Sequence, residues 1–282
     1  INQRLMIVGP PRSGTTLLQQ ILANHCQIFT VPETHYYEIM LRRDFRKLVN
    51  RFWIGRNRFK KFSRYAANRN IIQISTESEP PGNTQQVVDY FISMMDRNAI
   101  QNNKQSWVEK TPGHLFYIEQ IERYCSDIVF IHILREPKEI VASLVKVGRE
   151  HAAQWPGYSS VEKSVGIVES SYREISRNLT RNNYLFITYE DILSRPEELI
   201  TRLFKDTGLE CDQAALKRIL SSLSTSGLAR DDEAWKKGYG GAIRKDRQSG
   251  FEMLFDDTEK SRIANRLETA SQVYMQVSGA DS

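Results

Sequence analysis

The sequence predicts an α/β fold: three layers, with a central, mainly parallel sheet of about five strands and helical insertions. Short β-rich runs alternate with helical periods, the pattern of parallel strands joined by crossover helices. Ile128–Leu134 is apolar enough to be buried on both faces of a sheet. A glycine-bounded turn, Gly9 to Gly14, falls between the first strand and the first helix.

The elements follow in order. Arg4–Val8 is the first strand. A helix over about Thr15–Asn24 carries Leu17, Leu18, Ile21 and Leu22 on one face. Ile28–Val31 is the second strand, closed by Pro32, and Trp107 and Val108 mark a short third. Ile128–Leu134 is the fourth; its helix has Pro137 in the first turn and Gly148 as a stop. Tyr184–Thr188 is the fifth; Ser194, Pro196 and Glu197 announce a capping box, and the helix ends at Gly208. A last amphipathic helix carries Ile263, Leu267, Ala270 and Tyr274. Residues 34–105 read as a helical insertion on the acceptor side of a site, and 225–257 as a large closing loop, within a single domain over 1–282.

Composition narrows the class. With 282 residues, 40% hydrophobic and 26% charged, the chain is long enough for a full core and too apolar for disorder. No apolar run approaches the ~20 residues of a membrane helix. Net charge is +5, which fits an anionic ligand without demanding nucleic acid. Cys26, Cys125 and Cys211 form no CxxC or disulfide framework, so a reducing, cytoplasmic setting is expected. The chain begins at Ile1, which leaves an upstream signal, anchor or domain open. Asn178-Leu179-Thr180 spells a glycosylation sequon, which chance explains.

Gly9-Pro10-Pro11-Arg12-Ser13-Gly14-Thr15-Thr16 reads as a phosphate cradle, a turn that delivers backbone N–H groups to a helix N-terminus. Pro10 and Pro11 have no N–H, so the donors begin at Arg12 and run through Ser13, Gly14, Thr15 and Thr16. Thr15 stands where a Walker lysine would be, and the fourth strand ends in Arg135 rather than a magnesium-holding Asp. Both differences count against a kinase or NTPase, the alternative enzyme reading. A non-catalytic nucleotide- or nucleic-acid-binding module is the alternative of another class.

Ligands of open parallel sheets bind beyond the carboxyl ends of the strands. Those ends carry Glu33 and His35, then Glu109, Lys110 and Thr111 with His114 beyond Pro112-Gly113, then Arg135, then Tyr189, Glu190 and Asp191. Helix capping is an equal reading of Glu190 and Asp191. Arg135, with Ser143 two turns into the next helix, makes a second anion site.

The segments GPPRSGTTLL (9–18), VEKTPGHL (108–115), LREPKEIVASL (134–144) and ITYEDILSRP (187–196) resemble, in this order, the bacterial and Golgi-type P-loop sulfotransferases that use PAPS. Segments 34–105 and 145–183 carry no such resemblance. It implies transfer of a sulfuryl group from PAPS to an acceptor hydroxyl or amine, with PAP as product and no metal. It implies that the 9–16 loop, Pro11 included, holds the 5′-phosphosulfate through Arg12, Thr15 and Thr16. Arg135 and Ser143 then hold the 3′-phosphate, and Tyr189 approaches the adenine. Arg244 and Lys245 match a late Arg-Lys-Gly closing motif, although Asp246 replaces its glycine. Lys110 and Arg12 would stabilise the leaving phosphate. Glu33 and His114 compete as base. A glutamate is already deprotonated at neutral pH, and Pro112-Gly113 displaces His114 from the aryl sulfotransferase Lys-Thr-His position, so Glu33 is preferred. His35 ranks third.

Residues 42–64 hold ten Lys or Arg and one acid, Asp44. Phe45, Leu48, Val49, Phe52 and Trp53 have helical spacing, so a basic face over a core stripe is expected. The functional reading is a lid for an anionic or surface-bound acceptor. Confinement of the basic residues to one segment argues against nucleic acid.

Overall fold

The structure is a computed structural model that describes residues 1–41, 56–74, 79–181, 184–225 and 249–279. Five parallel strands form one sheet: β1 (Gln3–Val8), β2 (Ile28–Thr30), β3 (Ser106–Lys110), β4 (Ile128–Leu134) and β5 (Tyr184–Thr188), in the order β2-β3-β1-β4-β5. β1 lies at the centre, with Ile7 opposite Lys110 on one side and Val8 opposite His132 on the other.

Alternation along each strand sends side chains to two cores, and so makes the three layers. Leu5, Ile7, Val108, Ile131 and Ile133 face one side with α1 (Thr15–Ala23). Leu203 and Ile219 join that core from two later helices, Pro196–Asp206 and Gln213–Thr225. Met6, Val8, Trp107, Phe130 and Leu134 face the other. There they meet α4 (Thr84–Gln101), α6 (Pro137–Glu150) and α7 (Val161–Ser176), which contribute Phe91, Ile140 and Tyr172. Among the described residues of 34–105 lie three helices, α2 (Tyr36–Met40), α3 (Arg56–Asn68) and α4. A 3₁₀ turn, Pro112–Tyr117, leads into α5 (Ile118–Glu122). After β5 come α8 (Tyr189–Ser194), α9 (Pro196–Asp206), α10 (Gln213–Thr225), α11 (Gly250–Leu254), α12 (Asp257–Arg266) and α13 (Glu268–Ser278).

Several expected boundaries move. α6 runs through Gly148 to Glu150. Gly148 is instead where the Tyr158–Ser159 backbone crosses the helix, too close to admit a Cβ. There is no capping box before α9: Arg195 precedes Pro196 and makes no side-chain cap, while Gly208 ends the segment at φ 66 as expected. The C-terminal helix is two, broken at the buried Leu267. Residues 225–257 contain α11, and β3 extends two residues past Val108. Residues 42–55 of the basic segment and residues 226–248, with Arg244 and Lys245, lie outside the described residues.

Candidate active site

The loop after β1 is shaped by what it cannot contain. Gly9, at φ 154, lies so close to the Ile133 carbonyl that a Cβ would overlap it. At Gly14, φ 101, a Cβ would come 2.6 Å from the Tyr189 ring. Arg12 is left-handed at φ 71, a conformation uncommon outside glycine. Ser13 is fully buried; its hydroxyl and amide both bond to the Pro10 carbonyl, at 2.7 and 3.3 Å. Ser13 therefore braces the turn and offers its hydroxyl to the loop. α1 then starts with the buried Thr15 followed by Thr16.

Around this loop the predicted anion-binding side chains converge. Arg12 Nε donates to Ser143 Oγ at 3.2 Å. One Arg135 amino group donates to the Arg12 carbonyl at 3.3 Å, and the guanidinium carbon lies 4.8 Å from the Tyr189 ring centre. A salt bridge of 3.5 Å to Glu139 steadies the other end of the fork. Arg135 Nε is buried and has no hydrogen-bond partner among the described residues. An unpaired buried donor beside a glycine-bounded loop suits an anionic group.

Lys110 ends β3 with its side chain 1% exposed, its ammonium on Glu33 Oε1 and 3.4 Å from Thr16 Oγ1. Glu33 is a quarter exposed, so the carboxylate faces both the lysine and solvent. The end of β2, the end of β3 and the start of α1 thus meet at one point.

His114 lies elsewhere. The 3₁₀ turn carries it into the core, where it is fully buried. Its Nδ1 is 2.9 Å from Glu109 Oε2, and its Nε2 accepts the Tyr37 amide at 3.3 Å. Burial and the engagement of both nitrogens set it apart from the Lys110–Glu33 pair and weigh against it as the base. Glu109 also accepts from the Thr34 and Thr111 hydroxyls at 2.8 and 2.6 Å. Burial alone would raise the Glu109 pKa, but His114 and these donors outweigh it and hold the pKa below its ordinary value.

Asp191 is structural: its amide bonds Thr188 Oγ1 at 3.1 Å and its carboxylate pairs with Arg195 at 2.8 Å. Glu190 accepts the Glu136 amide at 3.3 Å, stitching α8 to the start of α6.

Some residues of the site escaped the sequence. Tyr172 grips the Arg135 backbone, accepting its amide at 3.3 Å and donating to its carbonyl. Its only signal was helical spacing with Val165, Val168 and Ile175 on the buried face of α7. Tyr158 lies near Glu33, Glu38 and Arg12; burial and the two carboxylates raise its pKa, which Arg12 partly offsets.

Among the described residues, no three His, Cys, Asp or Glu side chains gather as a metal site. No helix there is long and apolar enough to cross a membrane.

A parallel sheet with a glycine-bounded loop after its central strand and two cationic groups at its rim defines an α/β protein built to hold a phosphorylated ligand. The chain belongs to the sulfotransferase family, whose model it matches over residues 4–213. It is 28% identical over 126 residues to omega-hydroxy-beta-dihydromenaquinone-9 sulfotransferase Stf3 of Mycobacterium bovis, and equally to that of Mycobacterium tuberculosis. That alignment covers 40% of this chain and 32% of the relative, so the chain spans about a third of the length of the curated relatives it matches. Solved structures share the fold. The sulfotransferase domain from the curacin biosynthetic pathway superposes with a TM-score of 0.56 at 17% identity, covering 95% of this chain and 98% of that domain. A mouse sulfotransferase complexed with PAP gives 0.53 at 12%, covering 98% and 85%.

Proposed function

We propose that the protein transfers a sulfuryl group from PAPS to a hydroxyl or amine of an acceptor. The observation that carries this is the Arg12–Ser143–Arg135–Tyr189 cluster beside the loop, with the Lys110–Glu33 pair at the loop's other flank. Residue by residue the site suits the donor. The Gly9–Thr16 loop offers backbone and hydroxyl donors, the Arg135 fork has an unused buried Nε, and Tyr189 presents an aromatic ring. Bound PAPS would supply an activated sulfuryl group on a good leaving phosphate.

The chain's own residues account for the rest. Glu33, solvent-facing and ionised, would take the acceptor proton at the carboxylate. Lys110 and Arg12 would neutralise charge growing on the leaving side. A transferring sulfuryl group carries less negative charge than a phosphoryl group, so side-chain cations are adequate for an in-line, metal-independent transfer.

The acceptor would enter over α3. Arg56, Lys60, Lys61 and Arg64 are exposed on that helix, and its Tyr65 hydroxyl reaches the Glu33 carbonyl at 3.4 Å. This favours an acceptor with anionic character. The curated relatives act, by name, on omega-hydroxy-beta-dihydromenaquinone-9, which agrees with a hydroxyl as the sulfated group.

Thermal shift is the test. PAP without magnesium should stabilise the protein, by about 2.7 kcal/mol at a hundredfold excess over Kd, and should do so more than AMP or ATP. Stabilisation by ATP and magnesium alone would overturn the proposal.

A further inference from the structure

Glu33 is held from both sides. Lys110 takes one oxygen, and His35 Nε2 lies 3.3 Å from the other. His35 turns its second nitrogen, Nδ1, to Glu38. An imidazole with a carboxylate on each nitrogen satisfies both only when both nitrogens carry protons.

The backbone around it is arranged to make this clamp. His35 is left-handed, at φ 48, and its amide reaches Thr111 Oγ1 at 3.3 Å. Gly113 clears the space for Glu38: a Cβ there would overlap the Glu38 carboxylate. The Pro112-Gly113 pair that carries His114 away from the site thus brings a different histidine's partner into place.

We propose that His35, as an imidazolium clamped between Glu38 and Glu33, is the positioning residue of the base, and that release of its proton sets the alkaline limit of turnover. This rests on the reading of Glu33 as the base. Lys110 and His35 hold one Glu33 oxygen each, and the two cations together fix the carboxylate plane.

Among the described residues, the following charged and titratable groups reach this ring or its partners. Glu33 and Glu38 face its nitrogens. Tyr65 of α3 meets it edge-on at 5.8 Å between ring centres, and the Arg69 guanidinium lies 5.1 Å from the Tyr65 ring centre. Lys110 acts on it through Glu33, and His114 lies near Glu38. The Tyr158 hydroxyl lies near both carboxylates, and Arg12 lies near Tyr158. Burial works against the charged ring, but the hydrogen bonds to Glu33 and Glu38 outweigh it and raise its pKa from 6.5 to about 9.

The test has two independent arms. In the first, histidine resonances of the unliganded full chain are titrated; His35→Asn identifies the signal, since Asn tolerates the left-handed backbone. The His35 midpoint should lie near 9 in the wild type and fall toward 6.5 in Glu33→Gln and in Glu38→Gln. Gly113→Ala should lower it too by displacing Glu38. In the second arm, wild-type turnover should decline above about pH 9. His35→Asn should lower kcat by roughly ten- to a hundredfold at neutral pH, leave KM nearly unchanged and lose that decline. A His35 midpoint near 6.5 in the wild type, or an unchanged alkaline decline in His35→Asn, overturns the proposal. If the titrations behave as expected while no acceptor is sulfated, the clamp stands and the reading of Glu33 as a sulfuryl-transfer base is what falls.

Discussion

Arg12 donates from Nε to Ser143 Oγ over 3.2 Å, so the loop after β1 and the second turn of α6 form one unit. Arg135 closes that unit by bonding the Arg12 carbonyl and lying over Tyr189. The residues expected from the sequence to hold two anions are therefore contiguous, so perturbing one group should reach the other.

Arg135→Ala tests the division of labour between them. Losing a charge-assisted hydrogen bond is worth roughly 1.5–3 kcal/mol, which predicts PAP binding weakened about 10- to 150-fold. A 5′-AMP ligand, lacking the 3′-phosphate, should weaken much less, through the loosened loop and the lost contact with Tyr189. Calorimetric titration of both ligands decides it; equal losses would make Arg135 a structural residue only.

Glu33→Gln keeps the size and one carbonyl oxygen but removes the basic carboxylate. PAP affinity should stay near the wild-type value while turnover falls by about 10²–10⁴. His114→Asn should alter turnover per folded molecule far less. Near-normal Glu33→Gln activity would move the base elsewhere.

His114 is predicted to matter for stability. Removing one partner of a buried pair leaves the other uncompensated, so His114→Ala should lower unfolding free energy by about 3–5 kcal/mol in urea at neutral pH. The Glu109 network also has a pH sign. Its carboxyl pKa is depressed in the fold, so its contribution is complete above the ordinary value of 4.5 and is lost as pH falls through the lower folded value.

His132 gives the clearest acid response. It is fully buried on β4, its ring stacks on Phe186 at 4.8 Å, and neither nitrogen has a partner among the described residues. Burial lowers its pKa from 6.5 to about 3. The unfolded chain takes up this proton first, so stability is lost as pH falls from 6.5 toward 3. His132→Phe should remove that dependence. The variant should gain stability relative to wild type at pH 5 more than at pH 8, read as urea midpoints; an equal difference at both would rule out the histidine as the source.

Much of the frame was legible because short apolar strands leave a direct trace: Ile128–Leu134 and Tyr184–Thr188 have the expected bounds. β3 was read short because Glu109 and Lys110 are charged, yet both are buried there, Lys110 against Glu33 at the site and Glu109 against His114 in the core. His114 was misplaced for a related reason. Distance along the chain does not show that a 3₁₀ turn rotates the residue inward. Glycines were ambiguous in the same way: Gly148 serves a close chain crossing and Gly113 a neighbouring carboxylate, and neither ends a helix. Tyr158 and Tyr172 come from a stretch without recognisable motifs, and only folding brings them to Glu33 and Arg135.

The central place of β1 has a consequence for synthesis. On the ribosome, Gln3–Val8 emerges well before its partners, which begin at Ser106 and Ile128. At ~5–20 residues per second the nascent strand waits on the order of ten seconds with both edges unpaired. The Gly9 turn waits with it, because the Ile133 carbonyl against which it closes belongs to β4. This loop is therefore translated long before it can acquire its shape, and until then the nascent chain exposes an apolar strand that a holding chaperone would recognise.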